Sequence, residues 1–548
     1  MSERLRGLGV GTGRVVGPAV VVSSSMPEPP PGAAGAEPAA EAADAAVALQ
    51  WVAGRLGEFA ATATGEAKDI LDAQVLFAAD PGLAADVAER TGAGVPAARA
   101  VFEAFGRYRE LLGSAGDYIA ARVTDLDDVR DRTIARLLGL PPPGVPYLDE
   151  PGVLVARDLA PADTATLDPA RVLGFVTAEG GPTSHTAIIA RSLQIPAIVG
   201  CAGAMEIAAG TRLLVDAGAG VVVVDPSESQ IASAGSHPNR PHHDTGRPGA
   251  TADGHAVALL ANVGGPADAA AAVAAHAEGV GLLRTEFLFL GRDEEPSVAE
   301  QVAAYADVLG PFAGSRVVVR TLDAGADKPL PFLSLADEAN PALGRRGLRA
   351  MQDPPDVLDR QLAAIATAAR SCSAVTWVMA PMVADVEDTR WFLERARGHA
   401  LDVVGVMVEI PAAALQAGAI LELADFASLG TNDLAQYALA ADRLSGPLGR
   451  FQDPWQPAVL RLVQMTADAG ARQRKPVGVC GEAAADPMLA CVLVGLGIGS
   501  LSMSASAIPV VRGQLAAVGY DECVRLAELA LGAVSAVDAR AAVADALR

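Results

Sequence analysis

Chemically reactive side chains recur directly after short apolar segments in the second half of the sequence. These segments are followed, in order, by Arg284 and Glu286; by Arg320, Asp323 and Lys328; by Glu409; by Asn432 and Asp433; by Cys480 and Glu482; and by Ser502 and Ser504. Arginine guanidinium groups bind phosphate and carboxylate oxygens through paired hydrogen bonds. The set therefore predicts a binding site for a small ligand with several negative charges, such as a phosphorylated carboxylate.

Other residues in this set refine the predicted chemistry. Glu409 and Asp433 offer hard oxygen ligands of the kind that Mg²⁺ takes together with substrate oxygens. Arg443, in "ADRLSG", adds a third arginine for an anionic ligand, and Cys480 carries a proton that can be transferred. No "GxxxxGK[ST]" loop occurs in the sequence, so nucleotide binding is not indicated.

The apolar segments alternate with helical segments from residue 255 onward. The strand candidates are "HAVALLANVGG", "GVGLLRTEF", "SRVVVRTLDAG", "VTWVMAPMV", "VVGVMVEIP", "FASLGTND", "PVGVCGEA" and "LGIGSLSMS". Eight such strand–helix units predict a (β/α)₈ barrel. Because the strands of this barrel are parallel, the side chains that follow them lie at one end, where such barrels place their active sites.

A histidine, His185, stands in "GGPTSHTAIIARSLQIPAIVG", between a glycine-rich loop and a segment with helical spacing. Ser184 is expected to cap this helix, which places His185 in its first turn. A helix N-terminus favours an anion and disfavours a protonated imidazole. A neutral, nucleophilic imidazole that becomes phosphorylated would use both effects. The same position also fits a histidine that only caps a packed turn.

The remaining sequence divides by composition. Residues 5–23 are rich in glycine and β-branched residues and predict one or two strands, whereas residues 39–140 carry apolar residues at helical spacing. Strands resume at "GVLVA", "GFVT" and "RLLVDAGAGVVVVD", so an all-α block is inserted in an α/β block. Residues 227–254 are rich in glycine, proline and serine and predict a linker.

The amino-acid composition indicates which binding partners and which cellular location to expect. A net charge of -23 and a pI near 4.7 argue against nucleic acid and anionic membranes as partners. The five cysteines are scattered without a CxxC pair, which supports neither a zinc ribbon nor a disulfide framework. The N-terminus has no apolar signal segment, and glycines interrupt the uncharged residues 487–511, which predict a short helix and a short strand. A cytoplasmic location is therefore expected.

Seven segments together resemble enzyme I of the bacterial sugar phosphotransferase system, a phosphoenolpyruvate–protein phosphotransferase. They are "GGPTSHTAIIARSLQIPAIVG", "GLLRTEFLFL", "VVRTLDAGADK", "NPALGRRGLR", "GVMVEIPAA", "SLGTNDLAQYALAADR" and "VGVCGEAAADP", and the resemblance runs from about residue 5 to residue 520. It implies that His185 takes the phosphoryl group of phosphoenolpyruvate on Nε2. Phospho-His185 would then pass this group to the histidine-containing phosphocarrier protein HPr, which starts sugar uptake.

The resemblance also implies roles for the other site residues. It assigns Arg284, Arg320, Asn432, Asp433 and Arg443 to the substrate, Glu409 and Asp433 to Mg²⁺, Cys480 to protonation of the enolate, Thr164 to a hydrogen bond with the active histidine, and Lys328 to a supporting position. It further implies a homodimer formed through the barrel.

On this basis we expect a multidomain α/β protein. Residues 1–25 and 145–226 would form a swivelling phosphohistidine α/β domain, residues 35–142 an inserted all-α subdomain that binds HPr, residues 227–254 a linker, and residues 255–548 a phosphoenolpyruvate-binding and dimerising TIM barrel. Two features depart from the family. Pro182 stands where many members have arginine or another residue, and the linker is rich in proline and glycine where members commonly have a long helix.

Three other functions fit parts of the sequence. A pyruvate phosphate dikinase or phosphoenolpyruvate synthase shares the histidine domain and the barrel, but it needs a nucleotide-binding domain ahead of the histidine, where about 180 residues stand here. A catalytically idle regulatory protein would have lost a site residue, and none is missing. A metal-dependent aldolase barrel that acts on pyruvate would have no use for the His185 domain.

Overall fold

The computed structural model divides into two compact units, Met1–Pro238 and Asn239–Arg548. It describes residues 3–547 except for residues 11–12, 23–25, 27, 31–36, 63–65, 114–122, 141–144, 146–147, 149, 160–166, 168–170, 181–185, 188–189, 191–194, 219, 236–245, 291, 326–329, 334–337, 339, 354 and 443–445. The boundary between the units falls within the predicted linker. Each unit has its own hydrophobic cores.

In the first unit, the described strands form one mixed sheet. They are Glu3–Arg6 (β1), Leu8–Val10 (β2), Arg14–Val21 (β3), Gly152–Ala156 (β4), Val172–Thr177 (β5), Ala197–Val199 (β6), Arg212–Asp216 (β7) and Val221–Val224 (β8). Their order is β1-β8-β7-β3-β4-β5-β6-β2, with β3, β4, β5 and β6 parallel to one another. Because side chains alternate between the faces of a strand, Leu154 packs into one core and Val153 and Val155 into another. The segment 5–23 thus contributes to three strands rather than the one or two predicted.

An all-α block is inserted between β3 and β4. Among the residues that the structure describes, its helices are Pro38–Thr62, Glu66–Ala78, Pro81–Gly92, Ala97–Gly113 and Val123–Leu138. The third helix begins where the sequence requires it: Asp80 Oδ1 accepts a hydrogen bond from the Leu83 N–H at 2.7 Å, and Pro81 occupies the first turn. Buried Leu56, Phe105 and Ile134 belong to a separate core of this block.

The second unit contains a closed barrel of eight parallel strands. They are Ala258–Val263 (β9), Gly279–Arg284 (β10), Arg316–Arg320 (β11), Val375–Ala380 (β12), Val404–Val408 (β13), Ala427–Leu429 (β14), Val477–Val479 (β15) and Ser500–Met503 (β16). Each strand pairs with the next along the chain, and β16 closes the barrel by pairing with β9. All eight strands lie within the segments that the sequence predicted, and the (β/α)₈ barrel is confirmed.

Helices separate the barrel strands along the chain. They are Pro266–Ala274, Val298–Leu309, Leu348–Met351, Asp356–Ser371, Val386–Gly398, Pro411–Leu415, Ala417–Leu423, Thr431–Leu439, Pro457–Gln473, Pro487–Gly495, Ile508–Leu515, Tyr520–Gly532 and Ala536–Ala546. Buried residues of alternate strand positions, such as Val317 and Val319, belong to the large core that contains the helix residues Leu362 and Ile365. The barrel is therefore held mainly by apolar packing between its strands and its helices.

Two predictions about individual segments have clear outcomes. The uncharged residues 487–511 contain the helix Pro487–Gly495, capped by Asp486, and then β16, as predicted. The predicted linker instead starts with a helix, Glu228–Gly235, because its glycine and proline residues are concentrated after this point. Across the part of the chain that the structure describes, we find no helix with the length and apolar character that crossing a membrane requires.

Candidate active site

The carboxyl ends of the barrel strands, called here the barrel mouth, carry six of the predicted site residues. They are Arg284, Arg320, Glu409, Asn432, Asp433 and Cys480, each at the last position of a strand or within four residues after it. Their placement follows from the topology, because all strands of a parallel barrel end on the same side. Four predicted site residues, His185, Thr164, Lys328 and Arg443, lie outside the described residues, as does Pro182.

Arg320 is the centre of a buried ion-pair network at the mouth. Its Nη2 donates to Glu286 Oε1 at 2.5 Å, and its Nη1 lies 3.1 Å from Asp323 Oδ2. The residue is 6% exposed, and burial acts to lower its pKa, but Glu286, Asp323 and Glu409 together raise this pKa above its ordinary value. Arg320 is therefore a permanent cation in a fixed position.

Arg284 lies beside Arg320, because these two residues are register partners in the pair β10–β11. The Arg284 guanidinium carbon stands 5.3 Å from the centre of the exposed Phe287 ring. The Nε atoms of both arginines are buried and have no hydrogen-bond partner among the described residues. Buried N–H donors without partners are rare in folded proteins, so these two are candidates to bind the oxygens of an anionic ligand.

Arg346 is a site residue that the sequence analysis did not assign. It is 1% exposed and joins two carboxylates: its Nε donates to Asp323 Oδ1 at 3.2 Å and its Nη1 to Asp433 Oδ1 at 3.0 Å. Arg346 follows no strand, but its segment folds back onto the end of β11, where Gly325 and Arg346 form an isolated bridge. A Cβ atom on Gly325 would stand 2.9 Å from the Arg346 Cα, which explains the glycine in "LDAG".

Glu409 is almost fully buried below the mouth, at 1% exposure. Its Oε1 accepts a hydrogen bond from the Met382 backbone N–H at 2.6 Å, and Met382 holds a positive φ of 56° to present this N–H. A Cβ atom on Gly430 would stand 2.7 Å from Glu409 Oε2, so glycine leaves the room that the carboxylate needs. Burial raises the pKa of Glu409 to about 8, and the nearby carboxylates of Asp433 and Asp323 act in the same direction.

Asn432 and Cys480 stand on neighbouring strand ends of the barrel. The Glu482 backbone N–H donates to Asn432 Oδ1 at 3.0 Å, which orients the amide so that its NH₂ group is the donor available to a ligand. The Cys480 thiol donates weakly to the Leu429 carbonyl oxygen at 3.5 Å. Burial raises the pKa of Cys480 to about 11, so the sulfur keeps its proton at neutral pH.

Asn262 is a second residue that the sequence analysis missed. Its Nδ2 donates to the Cys480 carbonyl oxygen at 3.0 Å, and its Oδ1 accepts from Ser502 Oγ at 2.7 Å. These bonds join β9 and β16 to the end of β15. Asn262 therefore positions the backbone that carries Cys480, and the asparagine in the apolar segment "ALLANV" is the sequence signal that could have revealed it.

A buried polar network lies behind the arginines. Gln361 accepts from the Leu322 N–H at 2.9 Å and donates to both Thr285 Oγ1 and the Tyr305 hydroxyl at 3.1 Å, while Thr285 donates to the Arg320 carbonyl oxygen at 2.9 Å. The network therefore ties the ends of β10 and β11 to the helix Asp356–Ser371. Such a fully bonded network limits movement of the Arg320 backbone.

The acidic residues at the mouth fit a divalent cation. No group of three or more potential metal ligands is found among the described residues. Mg²⁺ nevertheless takes only one or two protein carboxylates when substrate phosphate and water complete its shell. Glu409 and Asp433 could hold it, and a cation would offset the burial and the neighbouring carboxylates that raise the pKa of Glu409.

In the first unit, the structure describes residues close to His185 in the sequence but not His185 itself. Thr186 and Ala187, directly after it, are helical, as the sequence predicted. The buried Thr186 hydroxyl donates to Asp158 Oδ1 at 2.9 Å, and Asp158 follows the end of β4. Thr186 is therefore tied to the residues that follow the carboxyl end of β4, and Gly180, with a φ of 93°, lies in the turn that follows β5.

Comparison with models of protein families shows the class of protein to which the chain belongs. Three family models match the chain: PEP-utilising enzyme, N-terminal, over residues 6–122; PEP-utilising enzyme, mobile domain, over residues 148–220; and PEP-utilising enzyme, PEP-binding domain, over residues 240–520. The last model covers the barrel and the mouth described above. The chain is thus built from the parts of a phosphoenolpyruvate-utilising enzyme.

Curated relatives narrow the class further. The chain is 53% identical over 548 residues to a phosphoenolpyruvate-protein phosphotransferase of Streptomyces coelicolor, with 99% of each protein covered. It is 43% identical to one of Haloferax volcanii, over 87% of this chain and 86% of that protein, and 39% identical to one of Staphylococcus carnosus, over 84% of each. The chain belongs to the phosphoenolpyruvate-protein phosphotransferase family, which confirms the resemblance seen in the sequence, and it is an enzyme.

Proposed function

We propose that the enzyme transfers the phosphoryl group of phosphoenolpyruvate to Nε2 of its own His185 and from there to HPr, the first step of sugar uptake by the phosphotransferase system. The observation that carries this proposal is the pair of arginines at the mouth, each with a buried Nε–H that has no partner among the described residues, beside two carboxylates suited to Mg²⁺. A substrate with a phosphate and a carboxylate group meets both features.

In this proposal the residues of the mouth first bind and orient phosphoenolpyruvate. Arg284 and Arg320 donate to its anionic oxygens, and the NH₂ group of Asn432, oriented by the Glu482 backbone, adds a neutral donor. Arg443 is proposed to contact the same substrate, and Lys328 to support the site. Glu409 and Asp433 would hold Mg²⁺, which would supply positive charge for the phosphate oxygens.

The phosphoryl transfer breaks the bond between phosphorus and the enol oxygen and forms a bond between phosphorus and His185 Nε2. The electron pair of the broken bond stays on the substrate as an enolate. Positively charged groups fixed around the phosphate stabilise this charge redistribution, which is the main way in which enzymes accelerate phosphoryl transfer. Thr164 is proposed to hold the imidazole in the orientation that presents Nε2.

The enolate carbon then takes a proton from Cys480 to give pyruvate. Cys480 suits this role because burial raises the pKa of its thiol to about 11, so that it is protonated before the reaction. Its sulfur lies near the charged groups of Glu409 and Arg320, which influence its titration. The thiolate that remains must regain a proton before the next cycle.

The domains have proposed roles that follow from these steps. Residues 1–25 and 145–226 present His185, residues 35–142 bind HPr, residues 227–254 link the two parts, and residues 255–548 bind phosphoenolpyruvate and form a homodimer. The cytoplasmic location expected from the sequence remains a prediction.

Incubation with ³²P-phosphoenolpyruvate and Mg²⁺ tests the proposal. The wild-type chain should take up label that is stable to base and labile to acid, and added HPr should remove it; His185→Ala should take up none. His399→Ala, which changes a partly exposed histidine beside Asp359, is the matched control and should label normally. Labelling of His185→Ala would contradict the proposal.

A further inference from the structure

The barrel interior contains two cavities on the side of Cys480 away from the mouth. The larger, of about 340 Å³, is lined by residues at or next to the first positions of β9, β10, β11 and β16, namely Ala258, Glu278, Arg316 and Ser500. It therefore opens at the amino ends of the strands. The smaller, of about 20 Å³, lies deeper and shares Leu260, Arg316, Pro476 and Ser500 with the larger one. The two cavities therefore adjoin each other at these four residues.

The deeper cavity reaches Cys480 through one side chain, Ser428. Ser428 is 6% exposed and lines this cavity together with Ser500 and Ser502. Ser428 pairs with Gly478 of the neighbouring strand β15, whose end carries Cys480, and its side chain acts on the pKa of the Cys480 thiol in the direction opposite to burial. Because the thiol proton is directed at the Leu429 carbonyl oxygen, the sulfur is left to accept a proton from the side of Ser428.

The deeper cavity has the size and the polarity for a bound water. A cavity needs about 10–15 Å³ to hold one water molecule, and the water needs two to four polar partners. The volume here is about 20 Å³, and three serines, Ser428, Ser500 and Ser502, are among the residues that line it. Ser502 donates its own proton to Asn262 Oδ1, so its oxygen is free to accept from a water.

We infer that Ser428 and water in these two cavities form a proton path that restores the Cys480 thiol from the amino end of the barrel. This inference rests on the proposed function, in which Cys480 gives its proton to the enolate. The Cys480 thiolate takes the Ser428 hydroxyl proton, and Ser428 takes a proton from the cavity water. The net change converts one thiolate and one water into one thiol and one hydroxide, which leaves through the larger cavity.

The surroundings of the larger cavity suit the departure of hydroxide. Arg316 lines both cavities, and its guanidinium carbon stands 4.7 Å from the centre of the Trp377 ring. Its charge stabilises an anion in the passage. Glu278 lies nearby, but its Oε1 already accepts from the backbone N–H groups of Gly249 and Leu259. The path thus works while substrate occupies the mouth on the opposite side of Cys480.

An exchange experiment with the full chain, Mg²⁺, phosphoenolpyruvate and ¹³C-pyruvate in D₂O tests this path. Movement of ¹³C between pyruvate and phosphoenolpyruvate counts chemical events, and deuterium in the pyruvate methyl group counts exchanges of the Cys480 proton with solvent. The ratio of deuterium incorporation to ¹³C exchange does not change when a variant only loses overall activity, because both rates then fall together. In the wild type we expect each ¹³C exchange to bring in solvent deuterium.

In Ser428→Ala the proton taken from pyruvate should return to substrate before it exchanges, and the deuterium to ¹³C ratio should fall about tenfold or more. Ser428→Thr keeps the hydroxyl and should keep the ratio, as should Ser371→Ala on an outer helix. Ser500→Val, which fills the passage between the cavities and leaves Ser428 intact, should lower the ratio as well. An unchanged ratio in both Ser428→Ala and Ser500→Val would overturn the path and assign proton return to the mouth. Absence of ¹³C exchange in the wild type would instead contradict the proposed function.

Discussion

Replacing Glu409 by glutamine should stabilise the barrel at alkaline pH when no metal is present, and should have little effect at acid pH. Burial, followed by the carboxylates of Asp433 and Asp323, raises the pKa of Glu409 from 4.5 to about 8. Between these two pH values the folded state holds a proton that the unfolded state has released. The free energy of unfolding therefore decreases as pH rises from about 4.5 to about 8. Glutamine has the shape of the protonated carboxyl and cannot ionise.

The size of the effect follows from the same pKa difference. One pKa unit corresponds to about 1.4 kcal/mol, so the change from 4.5 to about 8 sets an upper bound of about 5 kcal/mol for Glu409. An effect of about 2 kcal/mol is already large for a single substitution. The loss of stability that accompanies ionisation of Glu409 disappears when Mg²⁺ binds the carboxylates, because a bound cation favours their charged forms.

Urea unfolding of the full chain in EDTA, at several pH values from 5 to 8.5, measures this effect. Three of the four tryptophans, Trp377, Trp391 and Trp455, belong to the second unit, so their fluorescence follows the barrel. The advantage of Glu409→Gln over the wild type should grow with pH and vanish on addition of Mg²⁺. Glu394→Gln, which removes an exposed carboxylate, gives the baseline. An advantage that stays constant with pH would show that Glu409 is not the titrating group.

Two further predictions concern other buried groups. Arg346→Lys should lower the free energy of barrel unfolding by about 3 kcal/mol, because one ammonium group cannot bond both Asp323 and Asp433. Urea unfolding measures this loss of stability, with the neighbouring Arg345→Lys as the control. A loss in Arg346→Lys no greater than the loss in Arg345→Lys would refute the prediction. Cys480→Ser should slow pyruvate release more than it weakens phosphoenolpyruvate binding, because a hydroxyl is a far weaker acid than a thiol. Stopped-flow kinetics measures pyruvate release, with Cys372→Ser as the control. A release rate in Cys480→Ser close to that of the control would contradict the prediction.

The sequence alone determined that a barrel forms and which strand-end residues lie at its mouth. Eight apolar segments separated by helical ones specify parallel strands, and the residue after each strand must then lie at the common carboxyl end. Arg284, Arg320 and Glu409 could be placed there without coordinates, because each stands at the end of its strand or directly after it. The helix and strand within the uncharged residues 487–511 were predictable for a similar local reason, since glycines end the helix.

Contacts between distant segments were decided only by the tertiary structure. Arg346 follows no strand, and it reaches Asp433 only because its segment folds back onto the end of β11. Ser428 looks like an ordinary strand residue until the barrel closes and turns it toward Cys480 and a cavity. The raised pKa of Glu409 likewise depends on burial and on carboxylates from other strands. Local patterns specify which elements form and in what order, whereas burial, ion pairing and cavities arise from packing between residues far apart in the chain.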